Sequence, residues 1–128
     1  MRPILLACAP DEWHEGSLLV LGALLRRQRW PVANLGQAVP LDDLGSVIED
    51  LNPPLVIVVA MTPETATGLA HWPDVLPGIA QTGKPVIGYG GRVFTQQPKW
   101  RTRVAGHFLG DTYSEGLANI ERLLPQGI

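Results

Sequence analysis

The sequence predicts an α/β fold, a doubly wound parallel sheet with helices on both faces. Short apolar runs alternate along the chain with longer amphipathic segments, as expected of repeated strand–helix units. Residues 55–60 are continuously apolar and rich in β-branched side chains, which is typical of a strand covered on both faces. The chain has 128 residues, 45% hydrophobic and 17% charged, which predicts a single packed domain over residues 1–128.

The order of elements follows from these patterns. Strands are predicted at 3–9, 31–36, 55–60, 85–88 and 107–109. Helices are predicted at 17–28, 41–51, from 63 towards 79 with a break near Pro73 or Pro77, at 97–103, and from 113 to the last apolar stripe. Thr62 before Pro63 indicates an N-cap followed by proline at the first helical position. Thr112 and Glu115 fit a capping box.

Five strands that alternate with helices imply right-handed crossovers between parallel strands. At this length we expect the flavodoxin-like strand order 2-1-3-4-5. Ligands of such sheets bind outside the carboxyl ends of the strands where the strand order reverses, here between the first and third strands. The fold alone does not determine function, so the residues at these ends are decisive.

Composition and charge exclude several classes of protein. Ten Lys and Arg against twelve Asp and Glu give a formal charge of -2, whereas a nucleic-acid binder carries a basic excess. We therefore expect no direct contact with nucleic acid. The single cysteine, Cys8, excludes an internal disulfide and a multi-thiolate metal site. The longest apolar stretch, 55–61, is too short to span a bilayer, and we expect no signal peptide at residues 1–10. We expect no membrane association and a cytoplasmic location.

The residues that could bind a ligand or a metal are concentrated in the loops after the first, third and fourth strands, at 10–17, 60–64 and 89–94. A neutral imidazole such as that of His14 is a good ligand for a transition metal, and Glu12 can accept the proton of its other nitrogen. One histidine without a nearby cysteine does not build a tetrahedral zinc site. A metal at His14 would therefore arrive inside a cofactor that supplies its other ligands. Gly90 and Gly91 indicate either a strand-to-helix turn or a close approach of another group to the backbone.

Catalytic motifs are poorly matched. Residues 88–93 lack the last glycine of a dinucleotide-binding fingerprint and follow the fourth strand instead of the first. Ser17 is not surrounded by a Gly-x-Ser-x-Gly elbow. Cys8, inside a predicted strand, is expected to be an inert core thiol. We therefore expect a binding module and not an enzyme.

Together these segments resemble the cobalamin-binding domain of MerR-type light- and vitamin-responsive regulators, a relative of the cobalamin modules of methionine synthase and the mutases. The resemblance covers nearly the whole chain. It rests on 10–14 as the acidic-x-His loop, Leu25-Arg26, 30–32, Leu35-Gly36, 40–44, the glycine pair with 92–94, and 104–110.

The resemblance implies that His14 replaces the dimethylbenzimidazole of the cofactor as the lower axial ligand of cobalt. The released nucleotide tail would then enter a slot beside the sheet, near the glycine pair and the loop after the third strand. Adenosyl-, methyl- or hydroxocobalamin is the implied cofactor. The implied cofactor-binding residues are Glu12, Trp13, His14, Glu15, Ser17, Val59, Met61, Thr62, Gly90, Gly91, Arg92 and Phe94, with His14 as the ligand of the metal.

The resemblance also implies a sensory role, with a helical cap and a DNA-binding domain as partners that are absent from this chain. Three positions depart from the pattern of the family. Ser17 stands where a glycine is expected and narrows the slot. Val59 replaces a serine that in many relatives bonds the tail or completes a His-carboxylate-Ser relay, and Arg29 replaces a turn glycine.

These departures leave alternatives open. The chain could be a corrinoid carrier subunit of a methyltransferase or mutase, which would share His14 and the glycine pair. It could also be a degenerate domain that binds haem or no cofactor and acts through protein contacts.

Overall fold

A computed structural model of the chain describes residues 2–124. The remaining parts of the predicted domain, residue 1 and residues 125–128, lie outside the described residues. Five parallel strands form one sheet in the order β2-β1-β3-β4-β5, which confirms the predicted α/β class and strand order. The strands are β1 (Ile4–Cys8), β2 (Val32–Asn34), β3 (Leu55–Val59), β4 (Val86–Gly90) and β5 (His107–Phe108).

The connections between strands are helical, as predicted. The helices are α1 (Gly16–Arg27), α2 (Leu41–Leu51), α3 (Pro63–Ala70), α4 (Trp72–Val75), α5 (Pro77–Thr82), α6 (Arg92–Gln96) and α7 (Tyr113–Leu123), with a 3-10 helix at Pro98–Thr102. The break expected near Pro73 or Pro77 is confirmed by the separation of α3, α4 and α5. Within residues 2–124 no helix is both long enough and apolar enough to cross a membrane.

Different helices cover the two faces of the sheet. Side chains alternate along a strand, so β1 and β3 contribute to both faces, and every residue of both strands is buried. On one face they pack against α2, α3, α4 and the segment 93–104. On the other face they pack against α1 and α7. The sheet is therefore buried between two apolar layers, as the continuous apolar run of β3 predicts.

The short helix predicted at 97–103 is present as a 3-10 helix at Pro98–Thr102, but the helix α6 before it was not predicted. The helix α6 begins directly after Gly91 and ends at Gln96, and a separate 3-10 helix follows. Proline has no amide hydrogen and its ring obstructs a preceding helical turn, so Pro98 divides the segment. The capping box predicted at α7 is half formed. Thr112 accepts a hydrogen bond from the amide of Glu115, but the Glu115 carboxylate accepts from the amide of Asp111 instead of that of Thr112.

The register of the central strands aligns the loops that carry the unusual residues. Cys8 is paired with Val59, and Val59 with Gly90. The carboxyl ends of β1, β3 and β4 therefore form a row at one edge of the sheet, at the reversal of strand order. The three loops singled out in the sequence begin from this row.

Candidate functional site

His14 and Glu12 form an ordered pair at this edge. Nδ1 of His14 lies 2.8 Å from Oε2 of Glu12. The Glu12 side chain is 1% exposed, whereas that of His14 is 69% exposed. A carboxylate oxygen only accepts hydrogen bonds, so Nδ1 carries the ring proton and donates a hydrogen bond to Oε2 of Glu12. In this tautomer the lone pair is on Nε2, which has no hydrogen-bond partner among the described residues.

The Glu12 carboxylate is held on both oxygens. Oε2 also accepts from the backbone amide of His14 at 3.1 Å, and Oε1 accepts from the amide of Met61 at 2.5 Å and the hydroxyl of Thr65 at 2.8 Å. Burial raises the pKa of Glu12, but these hydrogen bonds outweigh it and hold the pKa below its ordinary value. Glu12 is therefore a carboxylate that fixes the tautomer and the orientation of the imidazole.

The backbone of the loop is fixed by neighbouring segments. The amide of Ala38 donates to the carbonyl of Glu12 at 2.8 Å, and Nε2 of Gln37 donates to the carbonyl of Trp13 at 2.9 Å. Asp11 has a φ of 64°, a conformation that Asp adopts more readily than most residues. The pair is thus presented by a tethered loop and not by a free one.

A cavity of about 680 Å³ opens beside His14. Its walls come from four segments, 14–21, 57–61, 90–96 and 109–116, so it lies between the sheet and the two helices α1 and α7. Its inner part is lined by Leu21, Ile57, Val59 and Leu109. Its rim carries polar residues, including Arg92 and Asp111. This volume and this division into apolar walls and polar rim are those of a site for a small molecule.

The two glycines at the end of β4 meet different surroundings. A Cβ built on Gly90, which lines the cavity, has no described atom within 4 Å. Gly91 has a φ of 127°, and a Cβ there would collide with the carbonyl oxygen of Ala60. Gly91 therefore permits the close contact of the β3 and β4 loops, whereas Gly90 leaves open space in the cavity.

Ser17 contributes an unusual polar atom to the wall. It is the second residue of α1 and lines the cavity. Its Oγ is buried, and among the described residues it has no hydrogen-bond partner. Buried hydroxyl groups without a partner are uncommon in folded proteins.

A polar network holds the opposite rim. Nη2 of Arg101 and the hydroxyl of Thr95 both donate to Oδ1 of Asp111, at 2.9 and 2.8 Å. Nε of Arg101 donates to the carbonyl of Phe94 at 2.9 Å. This network joins the 3-10 helix, α6 and the loop between β5 and α7, so it fixes the width of the cavity at that side.

The structure brings most of the predicted site residues together. Those that line the cavity are His14, Ser17, Val59, Met61, Gly90, Gly91 and Arg92. The others lie elsewhere. Glu12 is buried behind His14, Trp13 is 62% exposed, and Glu15 and Thr62 are the N-caps of α1 and α3. Phe94 is not at the cavity, because it is fully buried in the core on the face covered by α2 and α3.

Two parts of the site were not predicted. Thr65 was missed, although the pair Thr62 and Thr65 at the N-terminus of α3 forms a capping box whose pattern is visible in the sequence. The segment 109–116 was also missed. It follows β5, and the rule that ligands bind at the carboxyl ends of strands applies to that loop as well.

Comparison with known proteins identifies the family of the chain. The sequence model of the B12 binding domain matches residues 2–123. The chain belongs to this B12-binding family. It is a cobalamin-binding domain. Within residues 2–124 there is no group of three or more His, Cys, Asp and Glu side chains that could hold a metal ion by itself.

Relatives of this B12-binding domain include a regulator. The chain is 36% identical over 91 residues to the HTH-type transcriptional repressor CarA of Myxococcus xanthus, a match of 69% of this chain and 31% of that protein. The chain thus spans about a third of the length of this relative.

Solved structures show the same fold. A cobalamin-binding protein from Desulfitobacterium hafniense DCB-2 is 16% identical with a TM-score of 0.84, over 97% of this chain and 60% of that one. The methanol:cobalamin methyltransferase complex from Methanosarcina barkeri is 18% identical with a TM-score of 0.78, over 95% of this chain and 46% of that one. At these identities the likeness shows the fold alone.

Proposed function

We propose that this domain binds cobalamin in the base-off form, with Nε2 of His14 as the lower ligand of cobalt, and that it is a non-catalytic sensory module of a larger regulator. The observation that carries the proposal is the pair of His14 and Glu12, whose Nδ1–Oε2 distance is 2.8 Å. This pair fixes the proton on Nδ1 and leaves Nε2 as a ligand at the mouth of the cavity.

The donor set fits this cofactor. A corrin ring supplies four nitrogen ligands to cobalt, so the protein has to supply only one axial ligand. The buried Glu12 carboxylate orients the imidazole of His14 and fixes its tautomer. Bound cobalamin would supply a cobalt centre whose upper ligand is exchangeable or sensitive to light.

The cavity fits the part of the cofactor that leaves cobalt. A volume of about 680 Å³ is within the range of sites that enclose a small organic ligand. Gly90 leaves open space at the wall, and the inner residues are apolar, which suits a buried aromatic base. The nucleotide tail would therefore lie between the sheet and the helices α1 and α7.

The sensory role is supported by the similarity to a transcriptional repressor. The formal charge of -2 does not favour contact with nucleic acid by this domain itself, so we propose that a helical cap and a DNA-binding domain act as its partners. The exposed ring of Trp13, beside His14, would contact the corrin or such a cap.

Titration with hydroxo-, methyl- and adenosylcobalamin in the dark, followed by illumination, tests the proposal. We expect the visible spectrum of the added cobalamin to change, on binding to the wild-type protein, to that of the base-off form with imidazole as the lower ligand. His14→Ala should lose this spectrum, because the ligand is removed. His71→Ala is the matched control, since His71 is an exposed histidine beside Asp74 and lies outside the cavity walls, and it should bind like the wild type.

Unchanged affinity and spectrum in His14→Ala would refute the ligand assignment. A wild-type protein that stays colourless, and whose melting temperature does not rise with excess cobalamin, would refute cobalamin binding, because a ligand specific for the folded state must raise its apparent stability. A bound cofactor whose illumination changes neither its spectrum nor the oligomeric state of the protein would refute light sensing.

A further inference from the structure

We infer that Ser17 selects the lower base of the cofactor: its hydroxyl donates a hydrogen bond to the imine nitrogen of a benzimidazole-type base inside the cavity. This inference rests on the proposed function, because the base enters the cavity only when His14 has taken its place on cobalt. It adds a specificity-determining residue and a chemical class of base.

The unpartnered state of Ser17 follows from its place in α1. Three other helical hydroxyl groups, those of Ser46, Thr67 and Thr82, each donate to the carbonyl four residues earlier, which is the usual local partner. Ser17 is the second residue of α1, so no preceding helical turn offers it such a carbonyl. Its Oγ is nevertheless buried, with no partner among the described residues.

A buried hydroxyl without a partner is costly, and a ligand that supplies an acceptor relieves this cost. The apolar wall of the cavity is formed by Leu21, Ile57, Val59 and Leu109, whose side chains have no polar group. Hydroxyl groups also line the cavity at Thr95, Thr112 and Tyr113, and that of Thr95 already donates to Asp111. Ser17 is the one whose buried oxygen has no partner among the described residues. Rotation about its χ1 angle moves Oγ between staggered positions, so it can adjust to the ligand.

The chemistry of the base then decides which cofactors fit. Dimethylbenzimidazole that is released from cobalt has one free ring nitrogen, which is an acceptor, and no donor. One hydroxyl donor therefore satisfies it. Adenine as the lower base brings an exocyclic amine and further ring nitrogens, and apolar walls leave these groups unpaired. A para-cresol base has no ring nitrogen at all and leaves Ser17 without a partner.

The test measures dissociation constants in the dark for three cobamides with the same upper ligand, whose lower bases are dimethylbenzimidazole, adenine and para-cresol. We expect Ser17→Ala to weaken the binding of the dimethylbenzimidazole form by about three- to tenfold, the effect of one hydrogen bond. It should leave the affinity for the cresol form unchanged. Wild-type protein should bind the adenine form more weakly than the dimethylbenzimidazole form. Ser46→Ala, an exposed helical serine outside the cavity walls, is the matched control and should change none of the three.

The outcomes separate this inference from the proposal on which it rests. If Ser17→Ala weakens the binding of the dimethylbenzimidazole and cresol forms equally, Ser17 only shapes the wall. If it does not weaken the binding of the dimethylbenzimidazole form, Ser17 makes no contact with the base. Either result overturns the inference. If no cobamide binds, or if His14→Ala binds all three like the wild type, the proposed function has failed and the inference falls with it. Melting temperatures of the unloaded variants establish that Ser17→Ala is folded.

Discussion

Gly90 and Gly91 are adjacent in the sequence, where nothing distinguishes them. In the structure they have different roles. Gly91 has a φ of 127° and touches the backbone of Ala60. Gly90 accepts a hydrogen bond from the amide of Ala60, but its φ is not positive, and a Cβ there would have no described atom within 4 Å. A glycine pair in a sequence does not reveal which member serves the backbone and which serves the ligand.

This difference predicts opposite results for two substitutions. Gly90→Leu should fold normally and lose cobalamin binding, because its side chain fills the cavity. Gly91→Ala should lower the free energy of unfolding by several kcal/mol, because the new Cβ meets a backbone carbonyl at a positive φ. Urea denaturation and cobalamin titration of both variants check this. Normal cobalamin affinity in Gly90→Leu would contradict the assignment of the cavity to the cofactor.

At the residue scale, sequence reasoning finds local pairs and misses distant ones. Glu12 and His14 are two residues apart, so their contact could be predicted from spacing in one loop. Thr65 lies 53 residues from Glu12, and its contact depends on where α3 begins above the sheet. The sequence predicts that Phe94 contacts the cofactor, since it follows the glycine pair; the structure places its side chain in the core on the other face of the sheet.

At the scale of single elements, the end of α1 explains why Arg29 is unusual. The amide of Trp30 donates to the carbonyl of Leu25, and that of Arg29 to Arg26, which is the Schellman arrangement of a helix C-terminus. This arrangement requires a left-handed residue, and Arg29 has a φ of 69°. Glycine adopts this conformation without the steric cost that a Cβ incurs.

Arg29→Gly should therefore raise the free energy of unfolding by about 1 kcal/mol. Asn52, with a φ of 48° at the end of α2, is the matched control, because asparagine already tolerates this conformation. Asn52→Gly should change stability by much less. Equilibrium urea denaturation of both variants makes the comparison, and an Arg29→Gly protein that is no more stable than the wild type would contradict it.

Elements were predictable where their periodicity was strong. The helix α2 has the predicted bounds, Leu41–Leu51, because apolar residues recur at helical spacing and Asn52 ends it. The helix α6 has only five residues, too few to show a period. Its start depends on the backbone turn at Gly91, and that turn is set by the tertiary contact with Ala60.

At the scale of the whole molecule, burial in the core makes stability depend on pH. Tyr89 is 2% exposed, packs against Phe94 with ring centroids 4.7 Å apart, and donates to the carbonyl of Arg101 at 2.9 Å. Burial raises the pKa of Tyr89 above its ordinary value of 10.0, although Arg101 opposes this shift. The folded protein therefore favours the neutral phenol.

The sign of the effect follows from linkage. Below the pKa of the unfolded chain both states hold the proton, so the contribution of Tyr89 to stability is fully present. Above it the unfolded state ionises first, and stability falls as pH rises through the folded pKa. We expect Tyr89→Phe to show a smaller decrease in the free energy of unfolding above pH 10 than the wild type. Tyr113→Phe, at an exposed tyrosine, should keep the wild-type slope. Identical slopes for wild type and Tyr89→Phe in alkaline denaturation series would contradict this.

The sheet order could be predicted at this scale because five strand signals alternate with helices and the chain length allows few alternatives. The size and lining of the cavity could not be predicted, because they depend on the distance of α1 and α7 from the sheet. The sequence does not contain that distance in any local pattern.

The four segments that enclose the cavity, 14–21, 57–61, 90–96 and 109–116, are far apart along the chain and are brought together by the fold. A fragment that lacks either outer helix would have no enclosed site. A bound cobalamin would join the beginning of the chain to its end, so a protease that cuts transiently opened molecules should digest the loaded domain more slowly than the empty one.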